Sequence, residues 1–422
     1  MRKVIQFYLK IFSKIILWRY QPKVIAVTGS VGKTSTKEAV ACVLKSKFFL
    51  RQSHGNYNNE LGLPLTIIGE DSGGKNFFSW VWIFFKAKLK FFWTRYPKLL
   101  VLEMGTDKPG DIDYLVNLVG RIDISVLTDI GISHLEFFQT RADLAREKLS
   151  IIKNLNSDSF AILNVDNELI AKNKDLTKAK ILTYGLSTLA MLRATDYLII
   201  NKDDRWGINF KLNYNGTVVP VFLPNVIGIP PVYSALAAAS CGIAMGMNLV
   251  EISQALGNFT TPAGRLKIIE GINQTLILDD TYNAAPASVI AALESFNHIA
   301  HSRKIVALGT MAELGAAKEE GFRDVAKKIY ETKPDELHMV GGDLVLIKNE
   351  LDKFGYKGFI KLYDDAVSAG QSVLESLKPG DSILVKGSQS SRMEKVVKMI
   401  MAHPEKAEEL LVRHSKKWLD KP

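Results

Sequence analysis

The sequence predicts an α/β protein of two domains, a first built on a mostly parallel sheet and a second, Rossmann-like one. Two series of short, β-branched apolar runs alternate with helical patterns. A glycine-bearing loop joins the first of these runs to the next helix. Runs that are apolar throughout are the pattern of strands buried on both faces, as parallel sheets require.

Residues 1–22 come first and read as a basic, aromatic amphipathic helix. Arg2, Lys3, Gln6, Lys10, Ser13 and Lys14 share one face, and Phe7, Tyr8, Ile11, Phe12, Ile15 and Trp18 take the remainder. An uninterrupted apolar region and a small-residue cleavage site are both missing, so this is not a secretory signal. The first domain spans residues 23–263. Val24 to Val27 is its opening strand, and the helix through Lys37 to Leu44 follows the glycine loop. A basic-aromatic insertion occupies residues 75–96, densest from Phe77 to Trp93. Lysines interrupt it before the ~20 apolar residues that a bilayer span needs. Two readings stand for both basic-aromatic segments: they lie in a membrane interface, with Trp and Lys at the polar boundary, or they pack on the protein's own core or a partner chain.

Strands are then expected at residues 99–105, 124–129 and 160–164, with a helix from Arg141 to Asn154. From Asp196 to Leu223 the pattern turns strand-rich around the Asn215-Gly216 turn, and an Ala-rich helix follows Pro231. The second domain, residues 264–422, begins after Pro262-Ala263-Gly264-Arg265. Its strands are expected at 276–280, 304–309, 336–340 and 382–387. Its first turn lacks Gly-x-Gly-x-x-Gly, so no dinucleotide cofactor is indicated.

The 422 residues suffice for such domains, and 47% hydrophobic with 23% charged residues is a globular composition. A net charge of +10 invites a nucleic-acid reading, but no basic-aromatic RNA motif or helix-turn-helix signature supports one. Cys42 and Cys241 are the only cysteines, which excludes a disulfide framework and fits free thiols in a reducing compartment. With so few cysteines and histidines, a metal site must lean on oxygen ligands, which suits Mg²⁺.

The loop Thr28-Gly29-Ser30-Val31-Gly32-Lys33-Thr34-Ser35 is where chemistry concentrates. Between a strand and a helix it can turn backbone N–H groups and a helix N-terminus towards a phosphate chain. Lys33 would reach the outer phosphates and Thr34 would ligate Mg²⁺. Val27 stands where the standard spacing has its first glycine; here Gly29 comes two places later. This makes the first domain P-loop-type. Glu103 ends a buried run and could hold Mg²⁺ opposite Thr34. His134 follows another run, and Lys148 lies on the next helix. Alone, these two read as a structural histidine and a surface lysine.

Together the motifs say more. Thr-Gly-Ser-Val-Gly-Lys-Thr, Asn-Tyr-Asn-Asn-Glu-Leu-Gly-Leu-Pro, Glu-Met-Gly, His-Leu-Glu, Asn-Val-Asp, Pro-Ala-Gly-Arg, Asp-Asp-Thr-Tyr-Asn-Ala-Ala-Pro, Met-Ala-Glu-Leu-Gly and Val-Lys-Gly-Ser occur in this order from Val24 to Val397. The set closely resembles the Mur ligases, above all the branch that adds D-alanyl-D-alanine to UDP-N-acetylmuramoyl-tripeptide. The resemblance implies ATP as co-substrate, a muramoyl-peptide acceptor, and activation of its carboxylate as an acyl phosphate. It implies that residues 28–35 hold the nucleotide phosphates. Thr34 and Glu103 would hold one Mg²⁺, and His134 with a carbamylated Lys148 a second. Arg265, Asp280, Tyr282 and Asn283 would contact the nucleotide, Arg265 from across the domain boundary, with catalysis resting on Lys33, His134, Lys148 and Arg265. A cytoplasmic monomer is implied, and the basic-aromatic segments add a possible contact at the inner face of the membrane.

Two departures qualify the resemblance. The family's Gly-x-His-Asn-x-x-Asn run reads Gly228-Ile229-Pro230-Pro231-Val232-Tyr233-Ser234 here, without the adenine-side His and Asn. The phosphate loop also begins too early for the family's N-terminal UDP-sugar-binding domain, so the acceptor is expected to be held differently, for instance as a membrane-linked precursor. The competing readings are another Mur-type ligase and a degenerate nucleotide-binding scaffold. Retention of Lys33, Glu103, His134, Lys148, Arg265 and Asp280 argues against the scaffold.

Overall fold

A computed structural model describes residues 2–55, 57–92, 95–131, 138, 140–202, 205–300, 302–311 and 318–414. His134, Trp93 and residues 312–315 of the Met-Ala-Glu-Leu-Gly run lie outside them. The chain forms two compact units. One comprises Met1–Tyr197, Asn209–Phe222 and Val232–Phe259; the other comprises Leu198–Ile208, Leu223–Pro231 and Thr260–Pro422.

In the first unit, helix α1 (Arg2–Tyr20) precedes strand β1 (Lys23–Thr28), α2 (Lys33–Lys45), β2 (Leu50–Gln52), α3 (Gly62–Ile68) and α4 (Phe77–Lys90). Strand β3 (Leu99–Glu103), α5 (Asp111–Val119), β4 (Ile124–Leu127), α6 (Arg141–Lys153), β5 (Phe160–Asn164), α7 (Glu168–Lys172) and β6 (Lys180–Gly185) follow. The long strands β7 (Leu192–Lys202), β8 (Arg205–Tyr214) and β9 (Thr217–Pro224) come next, with α8 (Ile229–Ala244) and α9 (Leu249–Leu256) after them; the stretches Leu198–Ile208 and Leu223–Pro231 of these elements belong to the other unit. The sheet order is β2-β3-β1-β4-β5-β6-β7-β8-β9, and every pairing from β2 to β7 is parallel.

That order explains where a ligand goes. β1 lies between β3 and β4, so the chain leaves β1 to one side and later returns to the other. The carboxyl end of β1 is therefore a topological switch point, the place where open α/β sheets leave a crevice. The glycine loop occupies it. β1 is buried over five of its six residues, which its unbroken Val-Ile-Ala-Val run dictates.

The opening helix is not a separate element. Ile5, Leu9 and Ile16 are buried in the same core as Leu63, Leu100, Ile112 and Ile151. α4 joins that core through Trp80, Ile83 and Ala87.

The second unit carries β10 (Lys267–Glu270), β11 (Leu276–Asp280), α10 (Pro286–Ile299), β12 (Lys304–Gly309), α11 (Lys318–Thr332) and β13 (Glu336–Val340). Helix α12 (Val345–Phe354), β14 (Phe359–Tyr363), α13 (Ala366–Ser376), β15 (Ser382–Lys386), α14 (Glu394–Ile400) and the short α15 (Ala407–Leu410) complete it. Its sheet runs β10-β11-β15-β12-β13-β14, parallel except for the edge pair β10–β11. Apolar layers cover both faces, one around Phe296 and Ile329 and the other around Val373 and Val397. This is the expected Rossmann-like arrangement with two edge strands, β10 and β14, beyond the four read from sequence.

Candidate active site

The phosphate loop is held by the strand next to it. The backbone of Gly29 has φ 152°, and a Cβ there would lie 2.0 Å from Thr128 Oγ1 and 3.0 Å from the Asp129 backbone. Only glycine fits. The Ser30 N–H donates to the Asp129 carbonyl at 2.7 Å, and Thr128 Oγ1 donates to Val31 O at 2.6 Å. Thr28, fully buried, donates from its hydroxyl to Met104 O at 2.8 Å. Gly32 (φ 82°) ends the loop as the N-cap of α2, with no side-chain cap. Gly32 has no side chain with which to cap α2, and Lys33, Thr34 and Ser35 make up the first turn.

Two lysines converge on this loop. Lys33 Nζ donates to Gly29 O at 2.8 Å and to Ser30 O at 3.2 Å. Lys148 Nζ, from α6, donates to the same Gly29 carbonyl at 3.0 Å. Lys148 is fully buried, contrary to the surface position its helix suggested. Burial first, and then the Lys33 charge, press its pKa well below the ordinary lysine value.

Glu103 ends β3 opposite Val27 and is 2% exposed. Its Oε1 accepts from Asn58 Nδ2 at 3.1 Å, and Lys37 Nζ lies 3.9 Å from Oε2, which has no hydrogen-bond partner. A buried carboxylate oxygen left without a donor fits a site that takes a cation. Among the described residues no group of three or more His, Cys, Asp or Glu forms. Thr34 and Glu103 could therefore hold Mg²⁺ only with oxygens from elsewhere, which nucleotide phosphates supply. A cleft beside them is lined by Lys33, Asn58, Glu60, Thr106, Asp107 and Tyr114.

In the second unit Arg265, Asp280, Tyr282 and Asn283 come together. The Arg265 guanidinium stacks over the Tyr282 ring at 4.1 Å, and its Nε is buried without a hydrogen-bond partner. Asp280 Oδ1 accepts from Leu266 N at 3.2 Å and Oδ2 from Lys386 Nζ at 2.5 Å. Lys386 also donates to Asn283 O at 2.9 Å. Gly264 (φ 68°) lets the Pro-Ala-Gly-Arg loop close on Tyr282, whose N–H donates to Gly264 O at 3.0 Å.

Comparison with known proteins decides the family. A model of the Mur ligase middle domain matches residues 27–78 and 85–242, and one of the Mur ligase glutamate ligase domain matches residues 264–389. The chain belongs to the Mur ligase family. Curated relatives include UDP-N-acetylmuramoyl-tripeptide–D-alanyl-D-alanine ligase of Bacillus subtilis (strain 168), 29% identical over 93% of this chain and 79% of that one. The Escherichia coli (strain K12) ligase of the same name is 28% identical over 92% of this chain and 80% of its own. Among solved structures, MurF ligase from Thermotoga maritima in complex with ADP superposes with a TM-score of 0.78. It is 25% identical, covering 95% of this chain and 84% of that one.

Sequence reasoning missed several residues that contact the candidate site residues of this Mur ligase. Lys37 is fully buried, donating to Ser53 O at 2.7 Å beside Glu103; nothing in the sequence distinguishes it from a surface lysine of α2. Asn58 lies in the Asn-Tyr-Asn-Asn-Glu run, so its motif was visible but its hold on Glu103 was not. Lys386 falls in the Val-Lys-Gly-Ser run. Arg413 donates to the carbonyls of Thr281 and Tyr282 at 3.2 and 2.6 Å and carries no local signal. At the departure before the Ala-rich helix, Pro230 and Pro231 stand in the first turn of α8, where a missing N–H leaves no intrahelical bond unmade. Tyr233 donates to Asp166 Oδ2 at 2.8 Å, and Ser234 lies 3.3 Å from Thr36 Oγ1.

Proposed function

We infer that the chain is an ATP-dependent ligase of peptidoglycan-precursor synthesis, joining D-alanyl-D-alanine to the carboxylate of a muramoyl-tripeptide with release of ADP and phosphate. The meeting of Lys33 and Lys148 on the Gly29 carbonyl is the observation that supports it best. It sets a phosphate-binding cation beside a buried amine whose charge is disfavoured.

The chemistry needs alignment and positive charge rather than a protein nucleophile. A carboxylate oxygen bonds to the γ-phosphorus as the bond to the bridging oxygen breaks and ADP leaves. The dipeptide amine then bonds to the acyl carbon, the carbon–oxygen bond to phosphate breaks, and the amine gives up a proton. Lys33 and the amides of residues 28–35 hold the phosphates. Thr34 and Glu103 would hold one Mg²⁺, and His134 with carbamylated Lys148 a second, neutralising charge on the phosphoryl oxygens. A neutral amine adds CO₂ and loses a proton, which turns Lys148 from a cation into an anionic oxygen donor. In the second unit Arg265, Asp280, Tyr282 and Asn283 are the nucleotide contacts. The enzyme works in the cytoplasm as a monomer.

An ADP-release assay with D-alanyl-D-alanine and a soluble muramoyl-tripeptide tests this. Release that depends on both substrates is expected, and Lys148→Ala should slow it at least about tenfold, with partial return on adding acetate. An undiminished Lys148→Ala rate sinks the carbamate role. No acceptor-dependent release from the unaltered chain with either the soluble or a lipid-linked muramoyl-tripeptide sinks the ligase reading in favour of a nucleotide-binding scaffold.

A further inference from the structure

Helices α1 and α4 each carry two apolar faces, and the core uses only one of each. The inner face of α1 buries Ile5, Leu9 and Ile16, and that of α4 buries Trp80, Ile83 and Ala87. The outer stripe of α1 is Val4, Phe7, Tyr8, Ile11, Ile15 and Trp18, at helical spacing and 37–71% exposed. That of α4 is Phe77, Phe78, Val81, Trp82, Phe85 and Leu89, 49–79% exposed. The two helices meet where Tyr8 and Phe12 pack on Phe84, with ring centroids 5.6 and 5.7 Å apart. With Phe92, these stripes hold half of the large apolar side chains left exposed among the described residues. Scattered single exposures are ordinary; a continuous concentration of this kind marks an interaction surface.

Charge identifies the partner. α1 carries five basic residues and α4 three, and neither carries an acidic one. Lys3, Lys14 and Lys88 are exposed beside the stripes. A second copy of the chain would set these like charges against one another. An anionic bilayer satisfies both features, since acyl chains receive the aromatic stripes and lipid phosphates the lysines. Trp18 and Trp82 are of the residue type that prefers the headgroup boundary. Among the described residues no helix is long and apolar enough to cross a membrane.

We propose that the outer face of α1 and α4 docks on an anionic lipid surface, lying in the interface rather than spanning it. The same helix reaches the active cleft. Arg2 and Gln6 donate to Glu60 Oε1 at 2.7 and 3.1 Å, and Lys10 lies over the Tyr114 ring at 5.4 Å. Glu60 and Tyr114 line the cleft with Lys33. Resting on the ligase reading, docking presents that cleft to a muramoyl peptide whose far end is anchored in the bilayer.

Flotation of the full chain with vesicles tests the docking. Vesicles of phosphatidylcholine with about one third phosphatidylglycerol should carry the protein up at low salt. Pure phosphatidylcholine, or high salt, should carry at least about tenfold less. The combined variant Trp18→Ser, Trp82→Ser and Phe85→Ser should lose flotation while ADP release with a soluble acceptor is kept. A measurement needing no variant is quenching of tryptophan fluorescence by phosphatidylglycerol brominated in its chains, which should be pronounced. No flotation with anionic vesicles, no quenching, or flotation untouched by the substitutions overturns the proposal. So does a dimer, seen by light scattering, that the same substitutions dissolve. Failure of the ligase reading would appear only in ADP release and leave flotation unchanged.

Discussion

Gly29 concentrates what the site asks of one position. A methyl group there would collide with Thr128 Oγ1 and with the Asp129 backbone, and its φ of 152° is strained for any other residue. Thr128 could turn away, but the backbone cannot. Gly29→Ala should therefore move the loop, destabilise the first unit by about 1–3 kcal/mol and weaken ADP binding at least about tenfold. Isothermal titration with ADP, beside thermal melting, checks this; unaltered affinity would show that the loop tolerates displacement. The glycine's unusual place was visible in the sequence. Its cause was not, because Thr128 and Asp129 reach it only once β4 lies beside β1. Lys148 teaches the same lesson: its position on a helix was readable, whereas its burial against Gly29 depends on how α6 packs.

At the scale of elements, the central strands were legible because each is an unbroken apolar run buried on both faces. β14, whose residues are all intermediate or exposed, and the three-residue β2 give no such run and escaped notice. The amphipathic helices were legible as helices but not in orientation. A 3.6-residue period reveals that α1 has apolar stripes without telling which of them meets the core, so Ser13, read with the charged face, is buried instead. The joint between β11 and the Pro-Ala-Gly-Arg loop yields a pH prediction. Asp279 is fully buried and accepts from Thr281 Oγ1 at 2.6 Å and from the N–H groups of Thr281 and Gly264. Burial outweighs these bonds and pushes its pKa up to about 6. The folded unit thus favours the protonated carboxyl. The stability this contributes is complete below the unfolded aspartate pKa and is lost as pH rises through 6. Relative to Asp279→Asn, the unaltered chain should lose up to about 3 kcal/mol between roughly pH 4 and 7. Urea unfolding across that range measures it, and a difference independent of pH would refute the assignment.

For the whole molecule, the sequence left open whether the opening amphipathic helix lies in a membrane interface or packs on the protein's own core, and the inner face of α1 is built into the first unit's core. Leu9 is fully buried against that core, and Phe296 holds the same position in the second unit. The basic-aromatic segments are thus neither wholly core nor wholly surface: one face of each is buried in the unit, and the other is exposed. Leu9→Ala should remove about 2–5 kcal/mol, because it leaves a cavity where a well-packed side chain had been. If α1 is integral to its unit, this substitution lowers the calorimetric transition of the first unit, and Phe296→Ala lowers that of the second. Leu9→Ala leaving both transitions in place would mean that α1 is an appendage. A single transition moved by either substitution would mean that the two units unfold as one body, and the stability of the active site would then rest on both cores.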